Sequence, residues 1–444
     1  MKILKRILLV VFVLLGILVY FNYPKLNIIS GYAAKNMASS VFIAARTPYS
    51  IKSNDNDMPL IKLAGTQVDN EGKYATASVF GLMERKAVYR EGLGCVLVNG
   101  EYDPTKKTPR PKRTYHENGH TFPYGGNVAE DTLFPNVDYQ KLQYAVEKSF
   151  LDPELKKTRT VLVVHKDHII AEKYIRGFDE TTPILGWSMT KSVLATLYGI
   201  LEYQGKLDVN TAPSIKEWEN DGRSKIKLDH LLRMQSGLEW EEDYSKISDV
   251  TKMLFLESDM GQSQLHKKMV ALPTEIWNYS SGTSNLLSGH LHRYFPAKQD
   301  YMDFPYTALI DRIGMTSMLL ETDLEGNYVG SSYAWANTRD WAKFGLLYLK
   351  RGNWNGERLF SPEWVDYVTR PTIGSNGTYG AHFWLNAEGK FPDVPRDMFS
   401  ANGFQGQHVF IIPSKDLVVV RTGLSEDPAF DINEFLSDII AAIR

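Results

Sequence analysis

Two pairs of short, strongly apolar segments constrain the fold of this 444-residue chain more than any other feature. Residues 160–165 and 168–175 are separated only by Lys166 and Asp167, and residues 407–412 and 416–421 repeat the arrangement near the end of the chain. Apolar runs of this length joined by a short turn are typical of antiparallel β-hairpins. The sequence therefore predicts two hairpins that are far apart along the chain.

Helical patterns occupy most of the sequence around and between these hairpins. The spacing predicts a long helix from about Ser188 to Tyr203, ended by Gly205, and an amphipathic helix over residues 432–443. Residues from about 210 to 350 are mostly helical segments interrupted by glycine and proline. We therefore expect an α/β protein of the α+β type, in which an antiparallel sheet is flanked by helices and a helical domain is inserted at about 210–350.

The N-terminus has the composition of a targeting segment. Lys2, Lys5 and Arg6 precede an uncharged apolar run over residues 7–21. No small-x-small cleavage site follows directly, which favours an uncleaved signal anchor over residues 1–26. The positive-inside rule then places the rest of the chain outside the cytoplasm, attached to the membrane. Export after signal cleavage and a buried N-terminal helix are the alternatives. We expect an accessory region over 27–137 and the main domain over 138–444.

Composition excludes several functional classes. The net charge of −2 gives no basic excess, so we expect no nucleic-acid partner. The only cysteine, Cys95, allows neither an intrachain disulfide nor a cysteine-based zinc site, and its apolar surroundings predict a core position. Residues 116–120 have the His-Glu-x-x-His spacing of a zinc motif, but Asn118-Gly119 between the two histidines predicts a loop, whereas such a site needs both histidines on one helix; no Gly-x-Ser-x-Gly elbow is present. We predict no metal and no cofactor.

Ser188 and Lys191 form the strongest candidate site. Residues three apart at the start of a helix lie on one face, about one turn apart. A lysine can accept a serine proton only when its own pKa falls, and apolar neighbours such as Trp187, Val193 and Leu194 favour the neutral amine through desolvation. The helix N-terminus also supplies N–H groups for an oxyanion. The pattern predicts a serine nucleophile with a lysine base, although a bare Ser-x-x-Lys also occurs by chance.

Several ordered motifs carry a resemblance to a known family. Residues 186–192 resemble the nucleophile motif of the serine β-lactamase and penicillin-binding protein superfamily. Residues 277–282, with Tyr279, resemble its second motif. Similar stretches lie at residues 228–237, 336–345 and 403–407. The ensemble is most similar to 6-aminohexanoate-dimer hydrolases and class C-like esterases, and it covers about residues 140–444.

The resemblance implies a function and a role for each matching residue. Ser188 would be the acylated nucleophile, Lys191 its general base and Tyr279 the proton relay to the leaving group. The backbone N–H groups of Ser188 and Phe404 would form the oxyanion hole. The implied reaction is hydrolysis of a small amide or ester by two-step acyl transfer. The residues expected to contact the substrate are Trp187, Ser281, Asn402 and Gly403.

Two departures from the family pattern narrow the expected substrate. Ser281 stands where β-lactamases have an asparagine, and residues 401–403 replace the Lys-Thr-Gly motif. In the relatives both places bind β-lactam side groups or the substrate carboxylate, so the resemblance implies a linear amide or ester here. A D,D-peptidase or β-lactamase-type enzyme acting on cell-wall peptides is the first alternative. A cell-wall-binding protein without turnover is the second.

Overall fold

The computed structural model describes residues 2–100, 102–103, 105, 108–115, 119–127 and 133–444. Its helices are α1 (Lys2–Phe42), α2 (Pro48–Ser53), α3 (Tyr139–Ser149), α4 (Pro153–Lys156), α5 (Met189–Tyr203), α6 (Leu228–Leu232), α7 (Asp249–Leu256), α8 (Ser281–His290), α9 (Lys298–Pro305), α10 (Thr338–Leu349), α11 (Pro362–Thr369) and α12 (Ile432–Ala441). Its strands are β1 (Ala64–Asp69), β2 (Tyr74–Val79), β3 (Leu82–Arg90), β4 (Gly94–Leu97), β5 (Thr158–His165), β6 (His168–Tyr174), β7 (Ile184–Leu185), β8 (Leu319–Leu320), β9 (Ala334–Ala336), β10 (Asn353–Trp354), β11 (Glu357–Arg358), β12 (Trp384–Leu385), β13 (Phe399–Gly403), β14 (Gln407–Ile412) and β15 (Leu417–Gly423).

A six-stranded antiparallel sheet forms the centre of the main domain, in the order β12-β13-β14-β15-β5-β6. The two predicted hairpins are β5–β6 and β14–β15, and β15 joins them by pairing with β5, with Leu417 opposite His165. Every residue of β5, β14 and β15 is buried, which explains why these strands are continuous apolar runs. The predicted antiparallel sheet flanked by helices is confirmed.

Helices cover both faces of this sheet. Val418 and Val420 of β15 belong to the core that contains α5 and α10, whereas Leu417 and Val419 belong to the core beneath α3 and α12. The alternation follows from the two-residue period of a strand. The chain between α5 and α10 contains α6 to α9, and β7, β9 and β8 form a small antiparallel sheet beside α5. This arrangement places the start of α5 next to the end of β13.

The N-terminal region forms a second layer. The strands β1 to β4 make an antiparallel sheet in chain order, and α1 packs on this sheet and on α7. The later turns of α1 are buried, while its early turns expose apolar side chains such as Leu8, Phe12 and Ile17. The structure does not support the membrane anchor expected over residues 1–26, because no helix in the described part of the chain is long and apolar enough to cross a bilayer.

Buried polar contacts join the N-terminal layer to the main domain. The carboxylate of Glu321, which is fully buried, accepts hydrogen bonds from Lys35 Nζ at 2.7 Å and from Ser39 Oγ at 2.9 Å, both on α1. It also accepts from the N–H of Cys95 in β4 at 2.7 Å and from Trp335 Nε1 at 2.9 Å. Cys95 is buried in this contact, and burial raises the pKa of its thiol.

A second buried ion cluster joins α2 to β5. Asp55 lies 2.7 Å from both Arg46 and Arg159. Burial by itself raises the pKa of this carboxyl, but the charges of Arg159 and Arg46 outweigh burial and hold the pKa of Asp55 below its usual value. The aromatic ring of Phe178 lies under both guanidinium groups. The N-terminal layer is therefore held by buried charge pairs as well as by apolar packing.

Candidate active site

The turn before α5 presents Ser188 to solvent. After β7 the chain turns at Trp187, which has a positive φ of 48°, and Ser188 precedes the first residue of the helix. The N–H of Met189 donates to the carbonyl of Gly186 at 3.1 Å, and the N–H of Lys191 donates to that of Ser188 at 3.0 Å. Because Trp187 and Met189 are buried, the tight turn leaves Ser188 as the half-exposed residue of this segment.

Lys191 lies directly behind Ser188, with a side chain that is 1% exposed. Its Nζ lies 3.0 Å from Ser188 Oγ, 2.9 Å from Ser281 Oγ and 2.9 Å from the carbonyl oxygen of Ser331. Burial lowers the pKa of Lys191 to about 8, and the charge of Glu242 opposes this change. The structure thus brings the predicted pair together and surrounds the amine with groups that carry no charge.

Ser281 lies behind the lysine and does not line the cleft. Its hydroxyl donates to Glu242 Oε1, and its N–H donates to Glu242 Oε2 at 2.8 Å. Trp240 Nε1 holds the same carboxylate at 2.5 Å. Ser281 is fully buried and its hydroxyl is shared between Lys191 and Glu242, while its contact with substrate stays a prediction.

Trp187 is also placed differently from the sequence expectation. It is 5% exposed and packs among Tyr32, Tyr244, Tyr333 and Phe404, with its ring edge-on to Phe404 at 5.6 Å between centroids. The side chain therefore supports the back of the site. Aromatic rings from the N-terminal layer and the main domain enclose the side chain, which does not line the cleft in front of Ser188, and its contact with substrate stays a prediction.

Tyr279 closes the other side of the lysine. Its ring lies 4.9 Å from Lys191 Nζ, and its side chain interacts with that of Ser188. Burial and then the negative charge of Glu242 raise the pKa of Tyr279 well above its usual value, although the contact with Ser188 opposes the shift. Tyr279 is therefore a protonated phenol at neutral pH, able to donate a hydrogen bond.

The end of β13 lies against the turn that carries Ser188. A Cβ atom on Gly403 would lie 2.0 Å from the carbonyl oxygen of Gly186 and 3.1 Å from Trp187 Cβ, so only glycine allows this approach. The next residue is Phe404. Within the described residues, neither the N–H of Ser188 nor that of Phe404 donates to a backbone carbonyl. The close contact at Gly403 thus places the segment that carries the N–H of Phe404 against the segment that carries the N–H of Ser188.

A cleft of about 1010 Å³ opens in front of Ser188. Asn402 and Gly403 line it as predicted, and Asn402 Oδ1 lies 2.9 Å from His408 Nδ1. Burial lowers the pKa of His408 to about 3, so its imidazole is neutral at physiological pH. The exposed Lys390 also lines the cleft. No cluster of histidine, cysteine, aspartate or glutamate side chains in the described ranges is arranged to hold a metal ion.

A family model named Beta-lactamase matches residues 156–432, which is more than half of the chain and includes Ser188, Lys191 and Tyr279. The chain belongs to the β-lactamase family of serine hydrolases.

The proteins to which this chain is similar are named for different activities. A 6-aminohexanoate-dimer hydrolase from Paenarthrobacter ureafaciens is 23% identical over a 361-position alignment that covers 73% of this chain and 88% of the relative. A penicillin-binding protein homologue from Caulobacter crescentus has a TM-score of 0.52 at 13% identity, covering 70% of this chain and 99% of that one. A hydrolase with promiscuous acyltransferase activity, EstCE1, has a TM-score of 0.55 at 14% identity, covering 68% and 97%. The structural likenesses establish a common fold.

Three groups in the site of this β-lactamase-family protein were not found from sequence. Ser331 contributes a backbone carbonyl, which has no sequence signal. Lys390 belongs to the segment between β12 and β13 and matches no motif. Glu242 belongs to the acidic run 241–243, directly before Tyr244, but nothing in that run marks the middle carboxylate as the one that reaches Ser281. Each group is recognised by its contacts in the folded chain.

The acidic residues near Glu242 in the chain have structural roles. Asp243 accepts hydrogen bonds from the N–H and the hydroxyl of Ser245, and Asp249 forms an ion pair with Lys267 at 2.6 Å. Tyr244 does line the cleft in front of Ser188. This segment therefore contributes Glu242 and Tyr244 to the site. Asp243, which lies between them in the chain, instead accepts hydrogen bonds from Ser245 in its own turn.

Proposed function

We propose that this protein hydrolyses a small amide or ester through an acyl-enzyme on Ser188, with Lys191 as general base and Tyr279 as proton relay. The observation that carries the proposal is the set of three contacts made by Lys191 Nζ. A neutral amine has two N–H groups and one lone pair. The carbonyl of Ser331 accepts one N–H. Ser281 gives its own proton to Glu242, so its oxygen accepts the other. The lone pair is left for the hydroxyl proton of Ser188, 3.0 Å away.

Acylation follows from this arrangement. Ser188 Oγ attacks the substrate carbonyl carbon while its proton moves to Lys191 Nζ. The negative charge that develops on the carbonyl oxygen is stabilised by the N–H groups of Ser188 and Phe404. When the tetrahedral intermediate collapses, the bond to the leaving group breaks and the phenol of Tyr279 gives its proton to the departing nitrogen or oxygen. The Lys191 ammonium then returns a proton to Tyr279.

Deacylation repeats these steps with water. A water molecule gives a proton to neutral Lys191 and attacks the acyl carbon, and the Ser188 oxygen leaves and recovers that proton. Because its raised pKa keeps the phenol of Tyr279 protonated at neutral pH, no phenolate is available as a base, which assigns proton abstraction to Lys191. The reaction needs no group beyond the side chains and amides of this chain and one water.

Covalent labelling tests the proposal directly. Incubation with a fluorophosphonate should add one adduct to the intact protein by mass spectrometry, and Ser188→Ala should abolish the addition together with turnover of p-nitrophenyl acetate. Ser245→Ala, which changes an exposed serine of a nearby loop, is the matched control and should keep both. Labelling that persists in Ser188→Ala would contradict the proposal.

The position of Lys390 in the cleft supports a second candidate class of substrate. Residues 401–403 supply no cation, but Lys390 places an ammonium group at the same cleft from another segment. A substrate with a carboxylate near the scissile bond, such as a β-lactam, would pair with it. The comparison is kcat/KM for nitrocefin against p-nitrophenyl acetate, with Lys390→Gln as the variant. We expect the ester to be preferred, and a nitrocefin preference that Lys390→Gln removes would establish the second class instead.

A further inference from the structure

An apolar groove of about 1350 Å³ runs between the N-terminal layer and the main domain. One wall is the buried part of α1, the second is the segment that follows α2, and the third is the segment before α7. The apolar side chains that form most of its surface are Ile28, Ile29, Leu60, Ile61, Ile247 and Phe255. The groove is also lined by charged side chains, of which those of Lys25, Lys246 and Glu426 are exposed and those of Glu242 and Asp243 are half-buried.

The groove adjoins the cleft in front of Ser188, and four residues line both spaces. Tyr244 and Phe404 line both spaces and stack on each other with centroids 4.8 Å apart and planes 14° from parallel. Glu242 and Glu426 are also shared. Phe404 therefore presents its N–H at the end of β13, beside Ser188, and its ring to the groove. A chain attached to a carbonyl at that N–H has a path along the aromatic pair.

Leu60 shows that this surface lacks a partner within the described chain. It has a positive φ of 72°, uncommon for a residue with a side chain, and its side chain remains 50% exposed. Leaving an apolar side chain in water gives up the free energy that burial would provide. A long aliphatic ligand in the groove would cover Leu60. A peptide or a nucleotide would bring polar groups to walls that are mostly apolar.

We propose that the groove binds the straight aliphatic chain of the substrate acyl group, so that the enzyme prefers medium- and long-chain acyl esters or amides. This inference rests on the proposed acyl-enzyme chemistry at Ser188 and adds the acyl specificity. The carbonyl lies at Ser188 and Phe404, and the chain passes Tyr244 and ends between α1 and Ile247.

A series of p-nitrophenyl esters from acetate to decanoate, used below micelle-forming concentrations, tests the proposal. The leaving group is constant, so the series varies only the acyl chain. We expect kcat/KM to rise about fourfold for each methylene that the groove covers, until the groove is filled. No turnover of acetate would contradict the proposed function, whereas acetate turnover with no gain for longer chains would contradict the groove alone.

Variants of the groove wall complete the test. Leu60→Asp places a charge in the groove, and Ile247→Trp fills the space. Each should reduce the ratio of octanoate to acetate kcat/KM by tenfold or more. Leu63→Asn, at an exposed apolar residue of the same segment outside the groove, should leave that ratio unchanged. Equal ratios in all of these variants and wild type would show that the chain lies elsewhere.

Discussion

The N-terminal layer and the serine site each bury a lysine, and the two lysines have opposite surroundings. Lys35 on α1 donates to Glu321 at 2.7 Å and lies over the ring of Tyr333 at 4.0 Å, so its charge is paired. Lys191 on α5 contacts two hydroxyls and a carbonyl, and the nearest carboxylate, Glu242, is reached only through Ser281.

The difference shows how a buried lysine can have a structural role in one part of the fold and a chemical role in another. An ammonium next to a buried carboxylate resists separation, so Lys35 ties α1 to the main domain. An ammonium surrounded only by neutral acceptors is destabilised by desolvation, which lowers its pKa. Lys191 is therefore suited to exchange a proton. Substitutions at the two lysine sites should therefore have different effects, on catalysis at Lys191 and on stability at Lys35.

Lys191→Arg should have the largest effect. A guanidinium stays protonated and cannot accept the Ser188 proton, so kcat/KM for p-nitrophenyl acetate should fall by about 10³-fold or more. Steady-state kinetics on the purified variant, with circular dichroism to confirm folding, measures the change. A variant with a tenth of wild-type activity would show that another group is the base.

Lys35→Met should show the reverse pattern. Removing the cation leaves Glu321 charged and buried, which should lower the free energy of unfolding by about 3–5 kcal/mol. The kcat/KM of the remaining folded protein should match wild type. Urea denaturation followed by tryptophan fluorescence gives the free energy, and Lys62→Met, at an exposed lysine, is the control. A loss of activity without a loss of stability would remove the distinction between the two lysines.

The pH profile of the wild type should report Lys191. Its pKa is lowered, and only the neutral form is the base, so kcat/KM should rise with pH and level off above about 8. Below that midpoint it should fall about tenfold for each pH unit. The profile is measured with an ester whose own groups do not titrate. A midpoint near the ordinary lysine pKa would mean that burial does not tune this amine.

Glu242→Gln should produce the smallest change and the most specific one. The carboxylate raises the pKa of Lys191, so removing its charge should move the rising limb to lower pH, by about half a unit to one unit. The glutamine oxygen can still accept the Ser281 proton. Glu241→Gln, at the exposed neighbour that pairs with Lys246, is the matched control and should not move the limb. A shift to higher pH would contradict the assigned electrostatics.

The elements that could be predicted are those whose pattern is local. The hairpins β5–β6 and β14–β15 are continuous apolar runs, and α5 and α12 have clear helical periodicity. The strand β3 was not recognised, because it carries polar and charged residues on its exposed face. The apolar run 7–21 predicts an anchor from its composition, but composition cannot show that the same helix continues to Phe42 or that its later turns pack on a sheet.

The sequence by itself determined the identities and order of the proposed reacting groups. Ser188 and Lys191 lie one helical turn apart, and local geometry suffices to bring them together. The family resemblance supplied Tyr279 and Phe404, which are distant along the chain. Only the tertiary structure decided which carboxylate reaches Ser281, that Ser281 lies behind the base, and that the N-terminal layer forms one wall of a groove beside the serine. These features depend on contacts between residues far apart in sequence, and no local pattern encodes the distance between two such residues.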